Sequence, residues 1–191
     1  MVEQALAAGH GVTAFVRDPA RLAVESAGLS IKVGDARNAA DLNAALRGQD
    51  AVVSTLGSKK LRDDFVSAST EALIEAMRQT GVRRVLMMSS FVVTPNLELP
   101  GPMRMVRLLM RGVIADKSSG EALLRDSGLD WTIVYATRLQ DGPKTGNCRV
   151  VGAHEKVSLS NRSVRTDVAE FLVRQVDDPA SVHQSPLITS R

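Results

Sequence analysis

Small and polar residues follow the apolar segments of this 191-residue chain. The apolar run at 85–88, for example, is followed by Ser89 and Ser90. In open parallel sheets, ligands bind beyond the carboxyl ends of the strands, so residues at these ends could line a cleft for an extended polar ligand. The candidate residues are Arg17, Asp35, Thr55, Leu56, Gly57, Ser89, Ser90, Thr137 and Arg138.

Arg17 ends the apolar run Val12–Val16 and gives the sharpest indication of the ligand. In a dinucleotide-binding fold, an acidic residue at this position accepts hydrogen bonds from the adenosine ribose, whereas an arginine accommodates a 2′-phosphate. The sequence therefore predicts a preference for NADP(H) over NAD(H). The alternative is a solvated arginine at the entrance of a helix.

Four further residues can each be interpreted either as ligand contacts or as ordinary structural groups. Asp35 could accept a hydrogen bond from the adenine amino group, or it could cap the turn into the next helix. Gly57 could allow close approach of the backbone to the ligand, or it could be an ordinary turn glycine. Ser89 and Ser90 could contact the nicotinamide or a substrate carbonyl, or their hydroxyls could be satisfied by the backbone.

Apolar strands alternate with helical segments, which predicts a parallel sheet covered on both faces. The predicted strands are Val12–Val16, Ser30–Val33, Ala51–Gly57, Arg84–Ser90 and Thr132–Tyr135, with short segments at Arg149–Val151, Val157–Leu159 and Leu187–Thr189. The predicted helices are the end of one at Met1–His10, then Pro19–Ala27, Ala39–Leu46, Phe65–Thr80, Met103–Ser127 with a break at Gly112 or Gly120, and Thr166–Val176.

The length suits one domain over residues 1–191, with small substrate-side elements over about 136–191. The net charge of +3 is spread along the chain and aromatic residues make up 3%, which argues against nucleic-acid binding. No apolar run is long enough for a membrane span, and no secretory signal is present. Cys148 is the only cysteine, which fits a reducing, cytoplasmic location.

Six stretches of the chain carry a resemblance to a known family. They are AGHGVTAFVRDP at 8–19, GD at 34–35, DAVVSTLG at 50–57, VLMMSS at 85–90, SGLDWTIV at 127–134 and RLQDGP at 138–143. Together they resemble the atypical short-chain dehydrogenase/reductase group, within it the biliverdin reductase B-like (flavin reductase-like) and NmrA-like NAD(P)H-binding proteins. The resemblance implies an α/β, Rossmann-type, doubly wound and mostly parallel sheet with helices on both faces.

The resemblance also implies roles for the candidate residues. Arg17 would bind the 2′-phosphate and Asp35 would lie near adenine. Three groups complete the site: Leu56 and Gly57, with Thr55, along the dinucleotide; Ser89, Ser90 and Thr137 around the nicotinamide; and Arg138 beside an acidic substrate.

The chain departs from the family pattern at three places. The first strand and its glycine-rich loop, which would bind the pyrophosphate, are missing ahead of the first helix. The expected consequence is two neighbouring strands that either keep unpaired edges or close up. Lys117 matches the lysine of the Tyr-x-x-x-Lys pair, but Val113 replaces the tyrosine. Tyr135 stands where many relatives have arginine, and we expect it to face the core.

These observations favour an NADPH-dependent oxidoreductase that transfers hydride to a flavin, quinone or similar planar acceptor, without a metal. Ser90 and Lys117 are the candidate catalytic residues, although Lys117 could instead pair with Glu121 on the helix surface. The loop Val92–Met105 would cover the substrate. The alternative is a non-catalytic, NADP-binding regulatory protein of the NmrA-like kind. An epimerase of nucleotide sugars is disfavoured, because it depends on the tyrosine.

Overall fold

Strands and helices alternate along the computed structural model, which describes residues 1–57, 63–94, 105, 108–152, 155–158 and 160–190. The helices are α1 (Val2–Ala7), α2 (Ala39–Leu46), α3 (Phe65–Thr80), α4 (Arg111–Arg125) and α5 (Arg165–Val176). The strands are β1 (Val12–Val16), β2 (Leu29–Val33), β3 (Ala51–Ser54), β4 (Arg84–Ser90), β5 (Asp130–Ala136), β6 (Arg138–Gln140), β7 (Arg149–Val150), β8 (Arg162–Val164) and β9 (Leu187–Thr189).

The strands form one five-stranded sheet and two pairs. The five-stranded sheet has the order β3-β4-β5-β9-β7, in which only β7 runs antiparallel to its neighbour. Strands β1 and β2 form a parallel pair, as do β6 and β8. The prediction of a mostly parallel α/β sheet is confirmed.

Strand β4 is buried on both faces because its apolar side chains alternate between two layers of helices. Val85 and Met87 pack in the layer that contains Leu73 of α3. Leu86 faces the opposite layer, where it packs with Leu172 of α5. Helices therefore cover both faces of the central sheet, as the sequence predicts.

A slot separates β1 from β3. Among the described strands no ladder joins these two, and a cavity of about 630 Å³ lies between them. Side chains and backbone of both strands line it, among them Val12, Ala14, Val16, Ala51, Val53 and Thr55. A second cavity of about 200 Å³ shares several of these residues. The two strands thus keep unpaired edges and do not close up.

The slot occupies a definite place in the strand order. From β2 the order runs β1, slot, β3, β4 and β5. In the doubly wound order 3-2-1-4-5-6, this gap coincides with the position of the first strand. The expectation that this strand is missing from the sheet is therefore met by the described residues.

Some predicted elements differ from those observed. The helix predicted at Pro19–Ala27 is wrong, because only a 3₁₀ turn forms at Pro19–Arg21, capped by Asp18. Leu22 then adopts an extended conformation and lines the slot. The predicted strand Val157–Leu159 is also wrong at its described residues, where the backbone N–H of residue 158 donates to the side chain of Asn161. Leu159 lies outside the described residues.

The long helical segment is interrupted at Met110, and α4 runs unbroken through Gly112 and Gly120. The proposed covering loop is described only to Thr94 and at Met105, with a 3₁₀ turn at Phe91–Val93. Its remaining residues lie outside the described part of the chain.

Asp116 of α4 caps the N-terminus of α3. Its carboxylate accepts from the backbone N–H groups of Val66 and Ser67, each at 2.9 Å, and from the Ser67 hydroxyl at 2.7 Å. The residue at the N-cap position itself, Asp64, makes no capping hydrogen bond with its side chain. A carboxylate from a neighbouring helix thus satisfies donors that the first turn leaves unpaired.

Helices α3 and α4 approach closely at Gly120. A Cβ atom there would lie 3.1 Å from Thr70 Oγ1 and 3.2 Å from Val66 Cγ1. We expect Gly120→Val to lower the free energy of unfolding by about 2 kcal/mol, because the larger side chain forces the helices apart. Urea denaturation measures this change. Ala122→Val, at an exposed position of the same helix, is the control; an equal loss in both variants would contradict the packing explanation.

Candidate functional site

The candidate residues gather at the carboxyl edge of the parallel strands. Arg17 follows β1 and Asp35 follows β2, its parallel partner. Thr55 follows β3, and the register that pairs Ser90 with Ala136 brings the ends of β4 and β5 together. The structure thus places the predicted residues in two groups, one on each side of the slot.

Two arginines lie close to one aromatic ring beside the first group. The guanidinium carbon of Arg17 lies 5.7 Å from the ring centroid of Phe65, and that of Arg37 lies 5.9 Å from the same centroid. Both arginines are exposed, so the ring holds two cations at one corner of the cleft. Sequence reasoning missed Arg37, although its position two residues after Asp35 was visible. Two guanidinium groups suit a phosphate monoester.

Asp35 is held by Arg37. Its carboxylate accepts from the Arg37 side chain at 2.8 and 3.3 Å and from the Arg37 backbone N–H at 3.0 Å. These hydrogen bonds lower the pKa of Asp35 from 3.8 to about 2. Asp35 therefore caps the turn after β2, whereas Asn38 is the N-cap of α2. A carboxylate oxygen has more than one acceptor position, so Asp35 can accept a further hydrogen bond besides those from Arg37.

Arg37→Ala is expected to raise the pKa of Asp35 from about 2 toward 3.8. The rise will be partial, because the backbone N–H of residue 37 still donates. A folded-state pKa below the ordinary value stabilises the folded state above pH 3.8, and this contribution is lost as the pH falls toward 2. An NMR titration of the Asp35 carboxyl carbon measures the shift, and an unchanged pKa would contradict the assigned cause.

A buried polar network lies beneath the second group. Ser89 Oγ donates to Glu121 Oε1 at 2.6 Å, and the Tyr135 hydroxyl donates to Glu121 Oε2 at 2.5 Å. Arg125 donates to the Tyr135 oxygen at 2.8 Å and to Glu121 Oε2 at 3.4 Å. Glu121 is only 2% exposed and Tyr135 is fully buried. Tyr135 thus faces the core as expected, and sequence reasoning missed Glu121 and Arg125 as members of this network.

Ser89 and Ser90 point to opposite faces of the sheet. Successive side chains alternate along a strand, and Ser89 reaches Glu121 on α4. Ser90 therefore points toward the layer that contains α5. Ser90 is half-buried, and its hydroxyl makes no hydrogen bond to a described residue. The two hydroxyls have different surroundings and cannot act as equivalent groups.

Lys117 lies one turn before Glu121 on α4. The suggested pairing of Lys117 with Glu121 is wrong, because Glu121 pairs with Arg125 and the described ion pairs do not include Lys117. Burial lowers the pKa of Lys117 below its ordinary value, and the nearby carboxylates of Glu121 and Asp116 only partly oppose this shift. A lysine with a lowered pKa is a better proton donor at neutral pH than a solvated one.

The remaining candidates lie at the ends of β3 and β5. Thr55, Leu56 and Gly57 are exposed, and a Cβ atom on Gly57 would meet no atom within 4 Å. Open backbone beside an exposed leucine leaves room for a flat ligand. The Thr137 side chain is 1% exposed and lies 2.7 Å from Ser163 Oγ, inside the protein. Arg138 is exposed at the start of β6.

These residues fit a dinucleotide in two respects. The guanidinium groups beside Phe65 supply positive charge at the end of β1, and the open segment after β3 supplies exposed backbone. None of the helices in the described part of the chain is both long and apolar enough to span a membrane.

Residues 1–179 match the family model described as NAD(P)H-binding. An uncharacterized chloroplastic protein of Arabidopsis thaliana is 29% identical over 185 residues, and an isoflavone reductase homolog of Zea mays is 25% identical over 190 residues. These alignments cover 91% and 90% of this chain but 65% and 58% of the relatives. The chain thus spans less than two thirds of their length.

Solved structures show the same fold. A protein of Bacillus halodurans, described as an NAD-dependent epimerase/dehydratase, is 25% identical with a TM-score of 0.78, over 97% of this chain and 85% of that one. ChuY, an anaerobilin reductase of Escherichia coli O157:H7, is 24% identical with a TM-score of 0.77, over 98% and 88%. A short-chain dehydrogenase/reductase of Veillonella parvula in complex with NADP is 16% identical with a TM-score of 0.74, over 93% and 82%. The chain therefore belongs to the NAD(P)H-binding family, with the fold of the atypical short-chain dehydrogenases/reductases.

Proposed function

We propose that this protein is a cytoplasmic, NADPH-dependent oxidoreductase that transfers hydride to a flavin, quinone or similar planar acceptor. The observation that supports the cofactor choice is the pair of guanidinium groups, from Arg17 and Arg37, whose carbons lie 5.7 and 5.9 Å from the Phe65 ring centroid. An NADP complex of one structural neighbour and the reductase activity of another support the same class of protein.

The bound cofactor would supply the hydride, and the chain would bind and orient the reactants. Arg17 and Arg37 would hold the 2′-phosphate, and Asp35 would accept from the adenine amino group. The exposed Leu56 and Gly57 would lie along the dinucleotide. This division of labour is typical of cofactor enzymes, in which the protein mainly positions the reacting atoms.

The acceptor end would depend on groups from α4, β4 and β6. Val113 provides no phenol, so Lys117 is the candidate proton donor, in keeping with its burial and lowered pKa. Ser90 would contact the nicotinamide end or the acceptor. Arg138, which is exposed, would attract an acidic acceptor.

Turnover tests this proposal. The protein is mixed with NADPH and, in separate reactions, with flavin mononucleotide and menadione, while the loss of nicotinamide absorbance is followed. We expect oxidation to require both the protein and an acceptor, and to be slower with NADH. Lys117→Met should lower the rate, with NADPH affinity changed less than the rate.

The second candidate is an NADP-binding regulatory protein. The observation that favours it is Val113 at the position of the usual tyrosine on α4. Tight binding of NADPH with no oxidation by either acceptor would support this role against the first. Oxidation of NADPH in the presence of one acceptor would exclude a purely regulatory protein.

A further inference from the structure

The hydroxyl of Ser89 has a single proton, and this proton already takes part in a hydrogen bond within the protein. Ser89 Oγ donates to Glu121 Oε1 at 2.6 Å, at the carboxyl end of β4. A serine hydroxyl can donate one hydrogen bond and accept two. Ser89 is 5% exposed, and while this bond persists its oxygen can offer only lone pairs to any other group that reaches it.

The surroundings of Glu121 keep its carboxyl group an acceptor. The Tyr135 hydroxyl donates to Oε2 at 2.5 Å, and Arg125 donates to the same oxygen at 3.4 Å. Burial of Tyr135, together with its bond to Glu121, raises the pKa of the phenol well above its ordinary value. The phenol therefore keeps its proton and remains a donor. Three donors converge on one carboxyl group, an arrangement that a carboxylate satisfies.

We propose that Glu121 is a positioning residue that fixes Ser89 Oγ as a hydrogen-bond acceptor, so that the nicotinamide end of the site selects a ligand group bearing N–H. The carboxamide of nicotinamide carries such a group. This inference rests on the proposed function. Ser89 then does not donate to a substrate carbonyl. A hydrogen bond to that carbonyl would instead come from Ser90, on the other face of the sheet, or from Lys117.

Two nucleotides that differ at one group test this inference. NADP⁺ has a carboxamide, whereas in its 3-acetylpyridine analogue a methyl group replaces the NH₂ and the carbonyl oxygen is retained. Isothermal titration calorimetry gives the Kd of each. We expect the unaltered protein to bind NADP⁺ about five- to tenfold more tightly than the analogue, the factor that one hydrogen bond supplies.

Two variants separate positioning from a merely structural role. Ser89→Ala removes the acceptor, and the preference should fall to about twofold or less. In Glu121→Gln the amide oxygen can accept from Tyr135 while the NH₂ donates to Ser89, whose proton then turns toward the ligand. We expect this variant to lose the preference as well. Glu75→Gln, an exposed glutamate-to-glutamine change on α3, is the matched control and should keep it.

The outcomes are distinct. If the unaltered protein shows no preference, or if folded Ser89→Ala keeps it, the inference is overturned. If Glu121→Gln does not fold by circular dichroism, Ser89→Ala decides the role of the serine, and Tyr135→Phe, which leaves the bond from Ser89 to Glu121 in place, should keep the preference; its loss in folded Tyr135→Phe would contradict the proposal. A preference that survives in folded Glu121→Gln overturns the positioning role of Glu121. Failure of the unaltered protein to bind either nucleotide overturns the proposed function itself.

Discussion

Arg17→Ala will weaken NADPH binding by about 30-fold, the effect of losing one charge-assisted hydrogen bond to a phosphate. NADH has no 2′-phosphate, so its Kd should change by no more than about twofold. Arg17 lies beside Phe65 and Arg37 at the end of β1, where this charge would meet the adenosine end of a dinucleotide. Titration with nicotinamide fluorescence measures both constants.

The control for this prediction removes an equal charge elsewhere. Arg47 follows α2 and is exposed, so Arg47→Ala lowers the net charge by the same amount without touching the Phe65 corner. We expect its NADPH affinity to match that of the unaltered protein. A similar loss in both variants would mean that Arg17 acts only through net charge, and it would contradict a specific phosphate site. Arg37→Ala should behave like Arg17→Ala if both guanidinium groups contact the phosphate.

An added strand should fill the slot between β1 and β3. An extension of about five apolar residues, joined ahead of Met1 by a short Gly-Ser linker, can pair with two strands at once. Helix α1 leads back into β1 after a short turn, and Met1 and Val2 line the slot. A strand ending there would run parallel to both neighbours with the usual right-handed crossover.

We expect this extension to raise the free energy of unfolding by about 3 kcal/mol, from new ladder hydrogen bonds and apolar burial less the cost of ordering the strand. Urea denaturation measures the change, and the m-value should rise because more surface becomes buried. The same extension with two residues replaced by proline cannot complete the ladders and is the control. Equal stability of both extended proteins would show that the slot does not accept a strand.

Local patterns made much of the fold predictable. Strand β4 has an apolar centre at residues 85–88, and α3 has a clear helical period that ends at Gly81, so both were predicted with their observed limits. The helix predicted at Pro19–Ala27 was wrong because the sequence pattern could not show that Leu22 lines the slot. The sequence also could not show that the slot stays open, because the separation of β1 and β3 depends on packing between elements that are far apart in the chain.

The candidate site was only partly predictable. Arg17 and Asp35 are local, since each follows a recognisable strand. The bond from Ser89 to Glu121 joins residues 32 positions apart, and no short motif encodes it. Likewise, Phe65 meets Arg17 only when the first turn of α3 lies beside the end of β1. Strand ends can be read from sequence, whereas the partners that fix a side chain depend on tertiary packing.

The most direct test of the NADPH-binding account is a parallel titration of NADPH and NADH into the folded 191-residue protein, followed by nicotinamide fluorescence. We expect saturable binding, with a Kd for NADPH at least about tenfold below that for NADH. Equal affinities would contradict the role of the two arginines beside Phe65. No binding of either nucleotide to the folded protein would contradict the account as a whole.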